Sequence, residues 1–108
     1  MTDGRWWLAL VTFERCHVEQ EILPDWAYGA CGWQVALAPD EETAAELLIL
    51  NTEHDGLRVL EVAKMREVYS EVEIAEIDDH LANNFRQFEL GKRTVWGTIH
   101  CYKGEGEA

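Results

Sequence analysis

Basic residues are missing from two long stretches of this 108-residue chain. Neither Lys nor Arg occurs between positions 16 and 57, and none occurs between positions 67 and 85. Asp and Glu total 21 against 9 Lys and Arg, so the formal net charge is −12. Because such a surface repels phosphate backbones and attracts basic surfaces, we expect a basic protein partner and no nucleic acid. The alternative is that the acidic residues only keep helix surfaces soluble.

Cysteine is scarce and shows no pairing pattern. The three cysteines, Cys16, Cys31 and Cys101, are an odd number without C-x-x-C spacing, and no apolar signal region lies near Met1. These features predict a reducing, cytoplasmic location. Long apolar runs are also missing, since none approaches the roughly 20 residues that span a bilayer, and no membrane partner is expected.

Catalytic motifs are missing as well. The sequence contains no phosphate-binding loop, nucleophile elbow or dinucleotide fingerprint. Glu53-His54-Asp55 falls at the end of a predicted helix, where these residues ordinarily cap the chain, and His80 falls on a helix surface within reach of Glu76. We therefore predict no catalytic residue and no cofactor.

Two adjacent Cys and His pairs, Cys16-His17 and His100-Cys101, resemble a set of four zinc ligands. If the first and last strands pair antiparallel, the end of the first strand lies beside Thr94, roughly 20 Å from His100 at about 3.3 Å per residue. Zinc requires all its ligands around one centre, so only a parallel arrangement would join the pairs. Neighbouring residues on a strand also point to opposite faces. No metal site is predicted.

The chain has enough apolar material for one core. Hydrophobic residues make up 47% of the sequence and include five Trp, so a core needs no metal or disulfide. The length predicts a single domain over 1–108, because two ordinary domains would need a longer chain. Polar ends predict mobile tails near 1–4 and 103–108.

The stretch 31–63 predicts a strand, a helix and a further strand. Bulky residues alternate with small ones from Ala30 to Ala38, which indicates a strand whose small face lets a helix approach. Asp40 then supplies the N-cap of a helix that ends at Gly56. An apolar strand begins at Leu57 and extends towards Tyr69.

Strand formers with apolar residues on both faces predict a central strand over 5–14, whereas 15–29 receives no regular structure. Ser70 with Glu73 matches a capping box and predicts a second helix that ends at Gly91. The helix carries an apolar stripe towards the core, formed by Ile74, Ile77, Leu81, Phe85 and Phe88. A last strand is predicted over 94–102.

The order of elements is therefore ββαβαβ. It predicts an α+β fold with a four-stranded mixed sheet and two helices packed on one face, because connections that progress in the same direction across a sheet place their helices together. The other face of the sheet would be open.

Two sets of residues are candidates for partner binding. Alternation along the last strand places Trp96, His100 and Tyr102 on one aromatic and polar face, and the stripe leaves carboxylates on the outer side of the second helix. The predicted site comprises Glu73, Glu76, Asp79, Trp96, His100 and Tyr102. The alternative is that the 15–29 loop covers the aromatic residues.

These features predict a small acidic interaction protein that binds a basic protein partner, by analogy of charge with nuclease inhibitors and toxin-immunity proteins. A first alternative is a small-molecule binding domain or enzyme whose pocket on the open sheet face is lined by Trp33, Trp96, His100 and Tyr102. A second alternative is a homodimer formed through the open sheet faces.

Overall fold

The computed structural model describes residues 4–16, 22–24 and 26–102. Residues 1–3 and 103–108 of the predicted tails, and 17–21 and 25 of the stretch 15–29 without assigned structure, lie outside these residues. The elements are β1 (Arg5–Arg15), β2 (Gly29–Ala38), α1 (Glu41–His54), β3 (Leu57–Val68), α2 (Glu71–Ala75), α3 (Asp79–Asn84), a 3₁₀ helix (Phe85–Leu90) and β4 (Thr94–Tyr102). All four predicted strands are confirmed, and the fold is α+β.

The four strands form one sheet in the order β3-β1-β2-β4. Every pair of neighbours is antiparallel, so the prediction of a mixed sheet is wrong. The physical reason is the position of β1: α1 connects the two parallel strands β2 and β3, but β1 lies between them and opposes both. The predicted central position of the first strand is confirmed, because β1 has a partner on each side.

The helices cover both faces of the sheet, which corrects the prediction that they pack on one face. Ala44 and Leu48 of α1 join a core cluster with Ala9 and Val11, whereas Leu81 of α3 joins a second cluster with Leu8. Adjacent strand residues point to opposite faces, so α1 and α3 lie on opposite sides. The prediction assumed that the two connections progress in the same direction across the sheet. They run in opposite directions, from β2 to β3 and from β3 back to β4.

Helix α1 forms as predicted. The Asp40 carboxylate accepts a hydrogen bond from the Thr43 N–H at 2.7 Å, and this bond lowers the pKa of Asp40. The helix ends before Gly56, whose φ of 86° suits glycine. The helix packs on the small face of β2, where Ala36 and Ala38 are fully buried.

The predicted second helix is interrupted. Ser70 caps α2 as expected, but α2 ends at Ala75, and Asp78 has an extended backbone with φ −158° and ψ 106° that starts the separate helix α3. The apolar stripe still faces one core, since Ile74 and Leu81 are fully buried and Phe85 is nearly so, with Ile77 and Phe88 packed beside them. The chain turns at Gly91, with φ 96°, as predicted.

Candidate functional site

The described residues cover the sheet face opposite α1 along only about half its length. Near one end, Leu8, Val35 and Val95 are buried beneath α2, α3 and the 3₁₀ helix. Further along β1 and β2, Leu10, Thr12, Cys31 and Trp33 of this face are half-buried, whereas Glu14 at the far end is buried. We name this region the open half-face; its residues are Leu10, Thr12, Cys31, Trp33, His100 and Tyr102.

Strand register places these residues in rows across the sheet. Cys31 is the partner of both Thr12 and His100, and Trp33 is the partner of Leu10. Direct cross-strand partners share a face and lie side by side, so the rows form a continuous surface. At the far end Tyr102 covers Gly29, because a Cβ there would lie 2.6 Å from the Tyr102 hydroxyl. We call the side chains of these rows the floor of the open half-face. The floor is apolar, with thiol, hydroxyl and imidazole groups among the apolar side chains.

Charged residues of β3 border the open half-face. Arg58 forms an ion pair with Glu14, whose side chain is only 8% exposed. Arg66 pairs with Glu73 at 2.7 Å. Glu61, the partner of Thr12, is exposed and forms no ion pair with the described residues. The arginines on this border are therefore already engaged, whereas Glu61 is not.

The turn between α2 and α3 forms the other boundary. The Asp78 carboxylate accepts hydrogen bonds from the Thr98 N–H at 2.8 Å and from the Leu81 N–H at 3.1 Å. This fixes the turn against β4, about two residues or 7 Å from His100. Glu76 and Asp79 flank Asp78, are exposed, and form no ion pair with the described residues. Glu76 and Asp79 are therefore exposed carboxylates of the segment that Asp78 joins to β4.

Two carboxylates at this boundary are held in the charged form. Burial raises the pKa of Asp78, but the N–H groups of Thr98 and Leu81 and the Thr98 hydroxyl outweigh it, so the pKa is lowered. The Tyr69 N–H and the Arg66 guanidinium lower the pKa of Glu73. Both side chains serve to join α2 and α3 to the sheet.

The structure places the six predicted site residues in different surroundings. His100 and Tyr102 belong to the open half-face, whereas Glu76 and Asp79 are exposed in the segment that Asp78 joins to Thr98 of β4. Glu73 differs from the prediction of a free surface carboxylate, because it pairs with Arg66 and accepts the Tyr69 N–H at 2.9 Å. Its capping-box function limits its availability to a partner.

Trp96 lies on the opposite face, which corrects its predicted grouping with His100 and Tyr102. Gly32 pairs with Ile99 but Gln34 pairs with Trp96, so two residues of β4 oppose one residue of β2. This β-bulge reverses the alternation beyond it. Trp96 instead makes an edge contact with Phe13, at 5.2 Å between ring centroids, beside the α1 core.

Sequence reasoning missed several members of this surface. Asp78 falls inside the predicted second helix, although an Asp before a short apolar segment is a frequent N-cap. Cys31 could have been found from β2 alone: once α1 occupies the small face, the bulky face with Cys31 and Trp33 must lie opposite. Leu10 and Thr12 join them only through the register of β1 with β2.

β1 and β4 run parallel, so the antiparallel arrangement that was assumed against a zinc site is wrong. β1 and β4 both oppose β2, so they run in the same direction with β2 between them. Cys101 packs with the α1 cluster whereas His100 lies on the other face, and His17 is outside the described residues. Over 4–16, 22–24 and 26–102, no group of three or more His, Cys, Asp or Glu could hold a metal ion.

Neither the helices nor comparisons with known proteins suggest a function. Among the described helices, none has the length and apolarity needed to cross a bilayer. No family model, curated protein or solved structure matches the chain. The open half-face and its charges are therefore the features from which a function is inferred.

Proposed function

We propose that this chain is a small acidic interaction protein that binds a basic protein partner at the open half-face. The observation that carries the proposal is the state of the charges around the apolar floor. Arg58 and Arg66 are paired with Glu14 and Glu73, whereas Glu61, Glu76 and Asp79 form no ion pair with the described residues. A basic partner would complement these three carboxylates.

The floor and its border would contribute differently to binding. Burial of Leu10 and Trp33 against a partner supplies apolar contact, which stabilises the complex in proportion to the area removed from water. The exposed carboxylates act over longer distances, increase the association rate and make it depend on salt. An inhibitor or immunity protein that must cover a basic cleft needs both properties.

The two alternatives receive less support from the geometry. The small-molecule pocket retains Trp33, His100 and Tyr102, but it loses Trp96 to the other face. A homodimer through the open half-faces would bring Glu61, Glu76 and Asp79 of one copy towards the same residues of the other, and like charges oppose such a contact.

A matched pair of charge variants tests the proposal. E61Q/E76Q/D79N removes three charges at the open half-face, and E42Q/E46Q/E53Q removes three exposed charges from α1 on the other side of the sheet. The partner is first captured with wild-type protein from native cytosol, and its association is then followed by stopped flow at several salt concentrations. The first variant should associate more slowly and show a flatter salt dependence, while the second behaves like wild type.

Three results would contradict docking at the open half-face. Equal association rates for wild type and E61Q/E76Q/D79N at low salt would exclude docking at these carboxylates. Slower association of the α1 variant alone would move the binding surface to the other side of the sheet. Sedimentation velocity of the free protein distinguishes the homodimer, which would show a concentration-dependent mass without any partner.

A further inference from the structure

Each edge of the sheet carries features that hinder the addition of a strand from another protein. On β4, the Thr98 N–H donates to Asp78 at 2.8 Å, and the Trp96 carbonyl accepts from the Asn84 side chain at 2.9 Å. On β3, two irregularities interrupt the register with β1, and Lys64 adopts a positive φ of 55°. Such edges resist strand addition, which favours a partner that binds over a face of the sheet.

The open half-face is wide enough to accept one helix. From the row of Leu10 and Trp33 to the row of Glu14 and Tyr102 the strands advance four residues, which is about 13 Å, and four strands span about 14 Å. A helix with its side chains is about 10 Å wide. On the opposite face the same sheet already accepts α1, whose Leu48 is fully buried against it.

We propose that the partner docks a basic amphipathic helix on the open half-face. Its apolar side chains would contact Leu10 and Trp33, and its Lys or Arg side chains would reach Glu61, Glu76 and Asp79. This inference rests on the proposed function and adds the shape of the partner. Charge complementarity selects a helix that is basic, because the arginines of the border are already paired.

The native cysteines provide a direct footprint of this surface. Cys31 is half-buried within the open half-face, whereas Cys16 is exposed at the end of β1. A docked helix should shield the Cys31 thiol and leave Cys16 reactive. Alkylation of each cysteine by iodoacetamide can be followed separately by peptide mass spectrometry on the full chain.

Two synthetic probes distinguish shape from charge. The first is a peptide of about 18 residues, long enough to be helical, with Leu at helical spacing on one face and Lys on the other. The second has the same composition in an order that gives no apolar face. At about ten times its Kd the amphipathic peptide should slow Cys31 alkylation about tenfold, with Cys16 unchanged, and the reordered peptide should protect little.

Two lysine variants test whether the peptide protects Cys31 by binding at the open half-face. Thr12→Lys places a cation in the middle of the floor and should abolish protection of Cys31 by the peptide. Leu50→Lys introduces the same residue at a position of α1 that is 65% exposed, and protection should persist. Circular dichroism of Thr12→Lys verifies that this variant is folded; if it is not, the lysine is placed at exposed Glu61 instead.

The outcomes separate this inference from the proposed function. Equal protection by both peptides, with loss in E61Q/E76Q/D79N, would retain a basic partner but overturn the helix. Charge-dependent binding of the captured partner without protection of Cys31 would place docking away from the floor and also overturn it. Protection that grows with the protein's own concentration, in the absence of peptide, would identify a second copy as the occupant.

Discussion

The carboxylate of Asp78 accepts hydrogen bonds from both the backbone N–H and the hydroxyl of Thr98, at 2.8 and 3.1 Å. The same side chain caps α3 through the Leu81 N–H. One residue thus interrupts the helix, occupies a backbone donor at the edge of β4 and sets where the covered half of the sheet ends. Stability, edge protection and the extent of the open half-face are therefore coupled through Asp78.

Replacing Asp78 should be costly. Asp78→Ala removes an N-cap and leaves the Thr98 N–H without its acceptor, which together should cost about 2 to 4 kcal/mol of unfolding free energy. Asp79→Asn, at an exposed neighbouring position, should change it by less than about 0.5 kcal/mol. Urea unfolding of both variants measures the difference, and equal stability would show that the Asp78 bonds contribute little.

Acid should weaken the hydrogen bonds that the Asp78 carboxylate accepts and so lower the free energy of unfolding. The pKa of Asp78 is lower in the folded protein than its ordinary value, so the unfolded chain binds the proton first. The resulting stabilisation is complete above the unfolded pKa of about 3.9 and is lost as the pH falls through the folded pKa. Asp78→Asn cannot titrate, so its stability should fall less than that of wild type between about pH 5 and pH 3.

Asp40 and Glu73 also have lowered pKa values and shift stability in the same direction. They are present in both proteins, so the difference between wild type and Asp78→Asn isolates Asp78. Parallel stability curves across this pH range would contradict the assigned hydrogen bonds.

Gly97 is required by the closeness of α3. A Cβ at Gly97 would lie 2.6 Å from Oδ2 of Asp78 and 2.9 Å from Cβ of Leu81. Gly97→Ala should therefore cost about 1 to 3 kcal/mol through overpacking. In the double variant with Asp78→Ala the cost should be less than the sum, because one of the clashing groups is gone.

Gly91→Ala supplies the control for Gly97→Ala. Nothing lies within 4 Å of its Cβ, and only the positive φ of 96° opposes the substitution. It should cost about 1 kcal/mol and show no coupling to Asp78. Additive effects of Gly97→Ala and Asp78→Ala would contradict the close approach.

Leu81 tests the core beneath α3. Its side chain is fully buried, so Leu81→Ala should cost about 2 to 5 kcal/mol. Leu90, at the end of the 3₁₀ helix, is 80% exposed, and Leu90→Ala should change stability by less than about 0.5 kcal/mol. Similar values for the two leucines in denaturant unfolding would mean that α3 does not pack on the sheet.

Local signals were sufficient to predict the elements but not their arrangement. The N-caps at Asp40 and Ser70 and the turn at Gly91 are formed by neighbouring atoms, so sequence spacing reveals them. Strand order depends on where β1 inserts, which no local pattern encodes. The antiparallel sheet and the placement of helices on both faces therefore could not be derived from periodicity.

The candidate site could likewise be predicted only where local sequence signals determine it. Glu76 and Asp79 were recognisable as exposed carboxylates, because the apolar stripe is committed to the core. The extra residue of the β4 bulge reverses the faces between Trp96 and His100, and alternation alone cannot reveal it. The break at Asp78 likewise depends on Thr98, which is 20 residues away in sequence.

Trp96 and Tyr102 should respond in opposite ways to substitution, because the bulge places them on different faces of β4. Trp96 packs edge-on against the fully buried Phe13, so Trp96→Ala should cost about 2 to 4 kcal/mol of unfolding free energy while the folded variant binds the partner normally. Tyr102 is 37% exposed on the open half-face, so Tyr102→Ala should cost less stability and increase the dissociation rate of the complex. Denaturant unfolding and dissociation kinetics, measured on both variants at a temperature where both are folded, compare the two roles. If Trp96→Ala weakened binding while Tyr102→Ala did not, the partner would have to contact the α1 face, and the open half-face would lose its assignment as the docking surface.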